Sequence, residues 1–531
     1  MGPMNSFLSA ARLGALLRRP KAGLERVGLE RVGFVSTVVL AGATFWFAPR
    51  LPMIDLPQHA GQVAVWHDLL LGTSPWQSLL YVNYFTPYLA GYGLALLLSF
   101  VLPVSAALKL LLTLAYFGFV GACVALRGRL GGDRRLDWLF IPGFFGYAYV
   151  WGFYTFLVAA PLGVLFVLLA HRYADRPTPA RGIVLLVADI VLFFSHGLVF
   201  LFANAIGGVF LLLKARPFVR LLPAALPYAA VGLLCLAYAL VRLRLETDPA
   251  GEALRFLWGW DLGRLGFLVY SVGAFDADWS FLPLLLLMLA APLAMGARFN
   301  RRDPGALVPF LVTLLIAAVV PVNAMNTGAI YPRFALFLLP FYALLFGAAG
   351  PQVPGALRRL WLPILCWAFL AVHAERLLAF AREEADFEDV LAATEPGHRA
   401  LGLVLDPASA ATSSRYAYQH FPLWYQAEKG GFVDFNFAGF LPQVVRYRVD
   451  RVPAVARGSP YKLARDFDGT RDDVAIYRYF FVRHTAPLPP GYFPAGPCAP
   501  VPVKSAGAWS VFENANCRAG PAPGGAPGRE R

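Results

Sequence analysis

Asp55 stands directly after the first apolar run of the chain, inside MIDLPQH. A carboxylate at an outer membrane surface can act as general base on an acceptor hydroxyl, or position a divalent metal against a phosphate leaving group. Pro57 restricts the chain before a helix begins, so Asp55 also occupies a natural helix N-cap, and the two roles are compatible. His59 lies four residues later and shares a face with Asp55 where one helix holds both, which makes it a secondary catalytic candidate. His67 and Asp68 follow two turns on, and the polar face of a surface helix accounts for them without chemistry.

Arg333, in AIYPRF, follows the polar loop NAMNTG and is the one basic residue of that segment. A guanidinium there can grip a phosphate in bidentate fashion or snorkel to lipid headgroups. Ser195-His196-Gly197 interrupts a long apolar stretch, and WGFY at 151–154 interrupts another. An ionisable group at such depth is costly and faces protein or a cavity. A hairpin apex with His196 capping a helix end is the competing reading. Tyr81, Tyr84, Tyr88 and Tyr92 read as an interfacial aromatic belt, which would also suit a sugar or isoprenoid groove. Asp276 and Asp278 in FDADW are a second acidic pair that a solvated loop explains equally well. Cys498 and Cys517, in the polar C-terminal part, could form a disulfide in an oxidising compartment such as a bacterial periplasm, or be two unrelated thiols. Cys123, Cys235 and Cys366 lie in apolar runs and read as small core residues.

The elements that must position these residues are set by composition. Of 531 residues, 58% are hydrophobic and only 15% charged, against roughly 25% charged in ordinary soluble domains. Mean hydropathy is +0.57, and apolar runs of about 17 to 22 residues recur, each long enough to cross a bilayer. These features exclude a soluble enzyme and define a polytopic α-helical membrane protein. The net charge of +14 is concentrated in short loops rather than spread over a nucleic-acid-binding face. Arg127 to Arg135, Arg172 to Arg181, Lys214 to Arg220, Arg298 to Arg302 and Arg358 with Arg359 read as cytoplasmic by the positive-inside rule, as does the basic amphipathic tail 1–33.

The transmembrane domain is expected over 34–376, with a long external loop at 51–85 whose PQHAGQVAVWHDLL segment is expected to form a helix lying on the membrane surface. Residues 377–518 turn soluble in composition and carry strand-like runs, which predicts a small extracytoplasmic, periplasmic α/β domain. The Pro/Gly-rich end, 519–531, is expected to be disordered. An even number of spans would return the C-terminus to the basic tail, whereas the loop 351–359 and the cysteine pair place it outside. An odd count, about 11 to 13, is therefore expected, including a span near 137–150.

This layout of a cytoplasmic N-terminus, one span, an external loop opening with an acidic residue, many further spans and an outer C-terminal domain resembles the GT-C superfamily of polyprenyl-phosphate-dependent glycosyltransferases. MIDLPQH, the Arg333 segment, GFYTF and SHG carry the resemblance, which in architecture covers the whole chain. It implies inverting transfer of a sugar from a polyprenyl-phosphate-linked donor to an extracytoplasmic lipid, glycan or protein acceptor, in a bacterial inner membrane. Asp55 matches the superfamily's first-loop acidic residue, and Arg333, with Tyr331 beside it, would hold the lipid phosphate. His196, Tyr84, Asp276 and Asp278 would be accessory. A divalent cation, Mg or Mn, would sit at Asp55, although the loop lacks the second adjacent carboxylate that several member families have. No WWDYG-like signature is present, which argues against an oligosaccharyltransferase. A transporter or a non-catalytic scaffold for cell-envelope polysaccharide or lipid is the alternative; a transporter predicts internal repeats, and none of fixed period is present.

Overall fold

The computed structural model describes residues 28–214, 221–245, 256–259, 261–273, 279–324, 327–347, 356–440, 442–448, 451, 464–468, 474–493, 495–496 and 498–514. Asp276, Asp278, Cys517, most of the tail 1–33 and all of 519–531 lie outside the described residues, and so does the expected Cys498–Cys517 pairing. Cys123, Cys235 and Cys366 are free thiols.

In chain order the helices are α1 (Gly28–Trp46), α2 (Leu56–Leu71), α3 (Leu89–Ser99), α4 (Val104–Leu130), α5 (Tyr147–Trp151), α6 (Tyr154–Asp175), α7 (Pro179–Ser195) and α8 (Gly197–Lys214). They continue as α9 (Leu221–Ala224), α10 (Leu226–Leu245), α11 (Gly263–Tyr270), α12 (Leu282–Ala294), α13 (Val308–Val319), α14 (Leu338–Leu344), α15 (Ala356–Glu383), α16 (Ala385–Ala392) and α17 (Leu423–Lys429). Among the described residues α1, α4, α6, α8 and the continuous stretch Leu360–Ala392 are long and apolar enough to cross a membrane, and five shorter apolar helices accompany them. At 1.5 Å per residue α4 is about 40 Å long, more than the roughly 30 Å of hydrocarbon. Helices α4, α6 and α8 pack around buried Tyr116, Phe156, Val164 and Phe202. The approach of α6 to α8 is close: a Cβ on Gly163 would stand 2.5 Å from Val199 Cγ1, the small-residue packing that membrane helices use.

Two expected elements take another form. The region 137–150 is not one span but 3-10 turns at Arg134–Phe140 and Pro142–Phe145 followed by the short α5. Pro142 interrupts the ladder, and Gly146 lies against main chain, where a Cβ would meet Val272 O at 2.3 Å. The helix in the first loop forms as α2, but without a solvated face. Every residue from Leu56 to Trp66 is buried, because α2 is covered by α17, and only its last turns with His67 and Asp68 reach solvent.

The basic loops share one end of the bundle. Arg134 pairs with Glu30 at the start of α1 at 3.8 Å, Asn300 Nδ2 donates to Leu130 O at 2.9 Å, and His171 Nε2 lies 2.8 Å from Asp303 Oδ2. The first loop and the C-terminal region meet at the other end, on the same side as each other. Strand β1 (Leu80–Val82) is followed by the two-residue strands β2 (Phe256–Leu257), β3 (Arg298–Phe299), β4 (Asn323–Ala324) and β5 (Phe346–Gly347). The C-terminal region adds β6 (Arg399–Val404), β7 (Phe432–Asp434), β8 (Val445–Tyr447), β9 (Tyr479–Arg483), β10 (Val501–Ala506) and β11 (Trp509–Glu513). Five of these form a sheet in the order β10-β11-β9-β6-β7, with β6 parallel to both β7 and β9. Strand β8 leaves that sheet to pair antiparallel with β1, Leu80 opposite Tyr447. Arg50, at the exit of α1, reaches Glu384 at 3.0 Å, Glu388 at 2.5 Å and Glu428 at 2.6 Å. One buried guanidinium thus locks the membrane helix to α16 and α17.

Candidate functional site

Asp55 occupies the N-cap position of α2, yet its side chain makes no capping hydrogen bond. Its place is set by main chain instead: Ile54 N and Asp55 N donate to Val150 O and Trp151 O, each at 3.0 Å. Gly152 then turns the chain at φ +77°, where a Cβ would meet Asp55 N at 2.8 Å. Only glycine combines that dihedral with so close an approach. The WGFY segment is therefore the seat on which Asp55 rests.

The free carboxylate points to a residue far away in sequence. His420 Nε2 lies 3.5 Å from Asp55 Oδ1, and the carboxylate keeps 15% of its surface open. The imidazole is oriented from its other side. Phe437 N donates to Gln58 Oε1 at 2.9 Å, which turns the Gln58 Nε2 amide to His420 Nδ1 at 3.1 Å. An amide nitrogen only donates, so the Gln58 amide donates to Nδ1, while Nε2 is turned toward Asp55. The Gln419 amide, 3.3 Å from Nε2, completes the contacts of the ring. One turn along α2, Gln62 accepts from Val445 N at 2.8 Å and donates to Val445 O at 3.1 Å. Two buried glutamines at i and i+4 thus bind the 435–445 segment to α2 as a strand neighbour would.

Burial pushes Asp55 up to about 7, against the opposing pull of Arg333. Burial likewise holds His420 down at about 3, so its imidazole is neutral near pH 7. A carboxyl that titrates near 7 is matched to proton acceptance at neutral pH. His59 is also driven down to about 3 by burial. Its Nδ1 lies 2.6 Å from the Tyr92 hydroxyl, which donates to Gln443 Oε1 at 2.8 Å, among the rings of Tyr154 and Phe437. His59 ties α2 to α3 and to the 435–445 segment.

Arg333 is buried at 8% exposure and, among the described residues, makes no salt bridge. Its Nε and Nη2 donate to Ala329 O at 3.2 Å and Gly328 O at 2.8 Å, and its guanidinium carbon lies 3.6 Å from the centre of the Phe153 ring. Phe153 follows the glycine that seats Asp55, so GFYTF joins the two charges. The carboxylate whose field Arg333 feels is Asp55, and the hydroxyls of Tyr88 and Tyr147 are also in range. Ala329 itself is held at φ +51°, its N–H donating to Asn323 Oδ1 at 3.1 Å. Phe435, whose ring lies parallel to that of His420, stands at φ +64°. Two of the three non-glycine residues at positive φ among those described therefore border this site, the kind of strain that collects where geometry is functional.

The structure brings Asp55, His59, Arg333 and His196 to one region: the rings of His59, Tyr92, Tyr88 and His196 pack in sequence, and Arg333 lies on Phe153, next to the glycine that seats Asp55. His196 ends α7, and its Nδ1 accepts from Leu198 N at 3.2 Å, the hairpin cap expected as the alternative. Tyr331 lies under a different guanidinium, that of Arg264 at 4.4 Å from its ring centre. Tyr84 is exposed and packs edge-on against Trp66, so it stands apart from the charges. His420 and Gln58 are the residues sequence reasoning missed: Gln58 lay inside MIDLPQH, but the 362 positions between Gln58 and His420 hide any link. Among the described residues no group of three His, Cys, Asp or Glu side chains could hold a metal ion. A Mg or Mn ion at Asp55 would find one carboxylate and a neutral imidazole, a donor set that does not fit a hard oxygen-seeking cation.

No family model matches the chain, and no curated protein matches it in sequence. Among solved structures it is similar to the arabinofuranosyltransferase AftD from Mycobacteria, seen by cryo-electron microscopy, with a TM-score of 0.43 and 15% identity. The likeness covers 92% of this chain and 42% of that one, so the chain spans less than half the length of the protein it matches.

Proposed function

We propose that the protein is an inverting glycosyltransferase of the extracytoplasmic membrane surface that takes its sugar from a polyprenyl-phosphate-linked donor. One observation carries this reading: a carboxylate left out of its helix cap, tuned to titrate near 7 and faced by a neutral imidazole, shares a buried region with an arginine that has no carboxylate partner among the described residues. Asp55 accepts the proton of the acceptor hydroxyl as its oxygen attacks the anomeric carbon. The bond from that carbon to the phosphate oxygen breaks, and the lipid phosphate leaves with the electron pair, its charge met by Arg333. A single displacement with one carboxylate inverts the anomeric centre. No step passes through a metal ion.

The test compares extracytoplasmic glycolipids and polysaccharides by mass spectrometry in cells carrying the wild type, a deletion or Asp55→Asn. Loss of the same sugar mass in the deletion and in Asp55→Asn supports transfer, and the missing mass names the sugar. A wild-type glycan profile with Asp55→Asn, where the deletion has a phenotype, returns the protein to a scaffold or transporter.

A further inference from the structure

At the basic end of the bundle, remote from Asp55, a cleft of about 420 Å³ opens between α4, α6 and α7, lined by Arg129, Leu169, Arg172, Ala180, Arg181 and Val184. We propose that this cleft binds the phosphate headgroup of an anionic phospholipid. The charge is uncompensated: Arg129, Arg172, Arg181 and Lys214 gather here around two carboxylates, Asp175 and Asp303. Arg129 and Lys214 take Asp175, and Lys214 also reaches Asp303 at 3.4 Å. Among the described residues Arg172 and Arg181 have no carboxylate partner. Arg181 Nη1 is spent on the carbonyls of Arg172 and Arg176, at 2.9 and 3.3 Å, which closes the end of α6 and sets the guanidinium at the first turn of α7. A helix N-terminus and the two guanidiniums of Arg172 and Arg181, with Arg129 beside them, together favour a phosphate.

The walls select a lipid over a free anion. Leu169 and Val184 belong to the cleft itself. The next turns on the same faces, toward the membrane interior, carry the exposed Leu165 on α6 and the exposed Val187 and Val191 on α7. A ligand with a phosphate at one end and acyl chains at the other matches this sequence of surfaces, and basic pockets between membrane helices are suited to it.

The test uses the purified full chain in neutral detergent. Native mass spectrometry and thermal melting are followed with added phosphatidylglycerol, phosphatidylcholine or inorganic phosphate. Expected are retained phosphatidylglycerol and a raised Tm, no effect of phosphatidylcholine, and no more than weak competition by inorganic phosphate. Arg172→Gln with Arg181→Gln should lower retention roughly tenfold, while Arg176→Gln, outside the cleft lining, should leave it unchanged. Equal uptake of phosphatidylcholine by the wild type, displacement of the lipid by equimolar phosphate, or full retention by the double variant each overturns the proposal. The wild-type arms decide the matter even where the double variant does not fold. The readout is lipid retention, so its failure is separate from any failure of sugar transfer.

Discussion

Asp55 Oδ1 and His420 Nε2 stand 3.5 Å apart, one at the exit of the first membrane helix and the other just before α17. The imidazole is neutral near pH 7, because burial lowers its pKa, and is held from behind by the Gln58 amide. His420 thus positions and tunes the carboxylate without carrying the proton away itself. His420→Ala should lower kcat roughly 10- to 100-fold and move the rising limb of the pH–rate profile, with KM for the donor little changed. His420→Gln, which keeps a donor near Asp55, should restore part of the rate; a pH profile identical to wild type in His420→Ala would remove the positioning role.

Asp55→Asn is expected to separate activity from stability. With its carboxyl raised from 3.8 to about 7 in the folded protein, the native state holds that proton more tightly than the unfolded chain does. Stability therefore declines as pH rises from about 4 to 7, the cost of ionising a buried group. The wild-type rate should rise through pH 7, and Asp55→Asn should lower it at least roughly 100-fold. In thermal melts Asp55→Asn should be higher than wild type by roughly 2–4 °C at pH 8 and equal to it at pH 4.

Arg333→Lys keeps the charge but loses the planar fork and the stacking on Phe153. Donor KM should rise roughly tenfold, and Arg333→Gln should cost roughly 100-fold in kcat/KM. Acceptor KM, measured at saturating donor, should stay within a factor of about two. A change confined to the acceptor would place the phosphate elsewhere.

Gly152→Ala tests the seat of the carboxylate. A methyl group at φ +77° and 2.8 Å from Asp55 N should destabilise by about 1–3 kcal/mol and push Asp55 away from His420. A fall in kcat larger than for a variant of equal Tm elsewhere in the bundle is the expected result.

Arg50→Met leaves Glu384, Glu388 and Glu428 facing one another without their cation. Loss of about 3–5 kcal/mol is expected, as for other broken buried pairs. Limited proteolysis should then cut between α15 and β6 at protease concentrations that leave the wild type intact. Adding Glu384→Gln and Glu428→Gln should recover part of the loss.

Much of this protein follows from its sequence alone. Apolar runs too long for a soluble core required membrane helices, because a bilayer leaves no other way to satisfy the backbone. The positions of Arg and Lys grouped the loops, and the described contacts among Glu30, Arg134, Asn300 and Asp303 set those loops at one end. Asp55 and Arg333 stood out as charges placed where charge is expensive. Tertiary structure alone decided the rest. The expected surface helix became a buried one because Gln58 and Gln62 pair with main chain that arrives nearly 400 residues later, at 379 positions for Phe437 and 383 for Val445. His420 carried no local signal, since the spacing of a histidine within its own segment says nothing about which distant carboxylate it will meet. Gly152 and Phe153 looked like an interruption in a span; only the folded chain reveals them as the piece that seats one charge and underlies the other. Periodicity records which face of an element is buried, whereas a site assembled from the first loop, a re-entrant turn and the C-terminal region depends on long-range closure that no local pattern encodes.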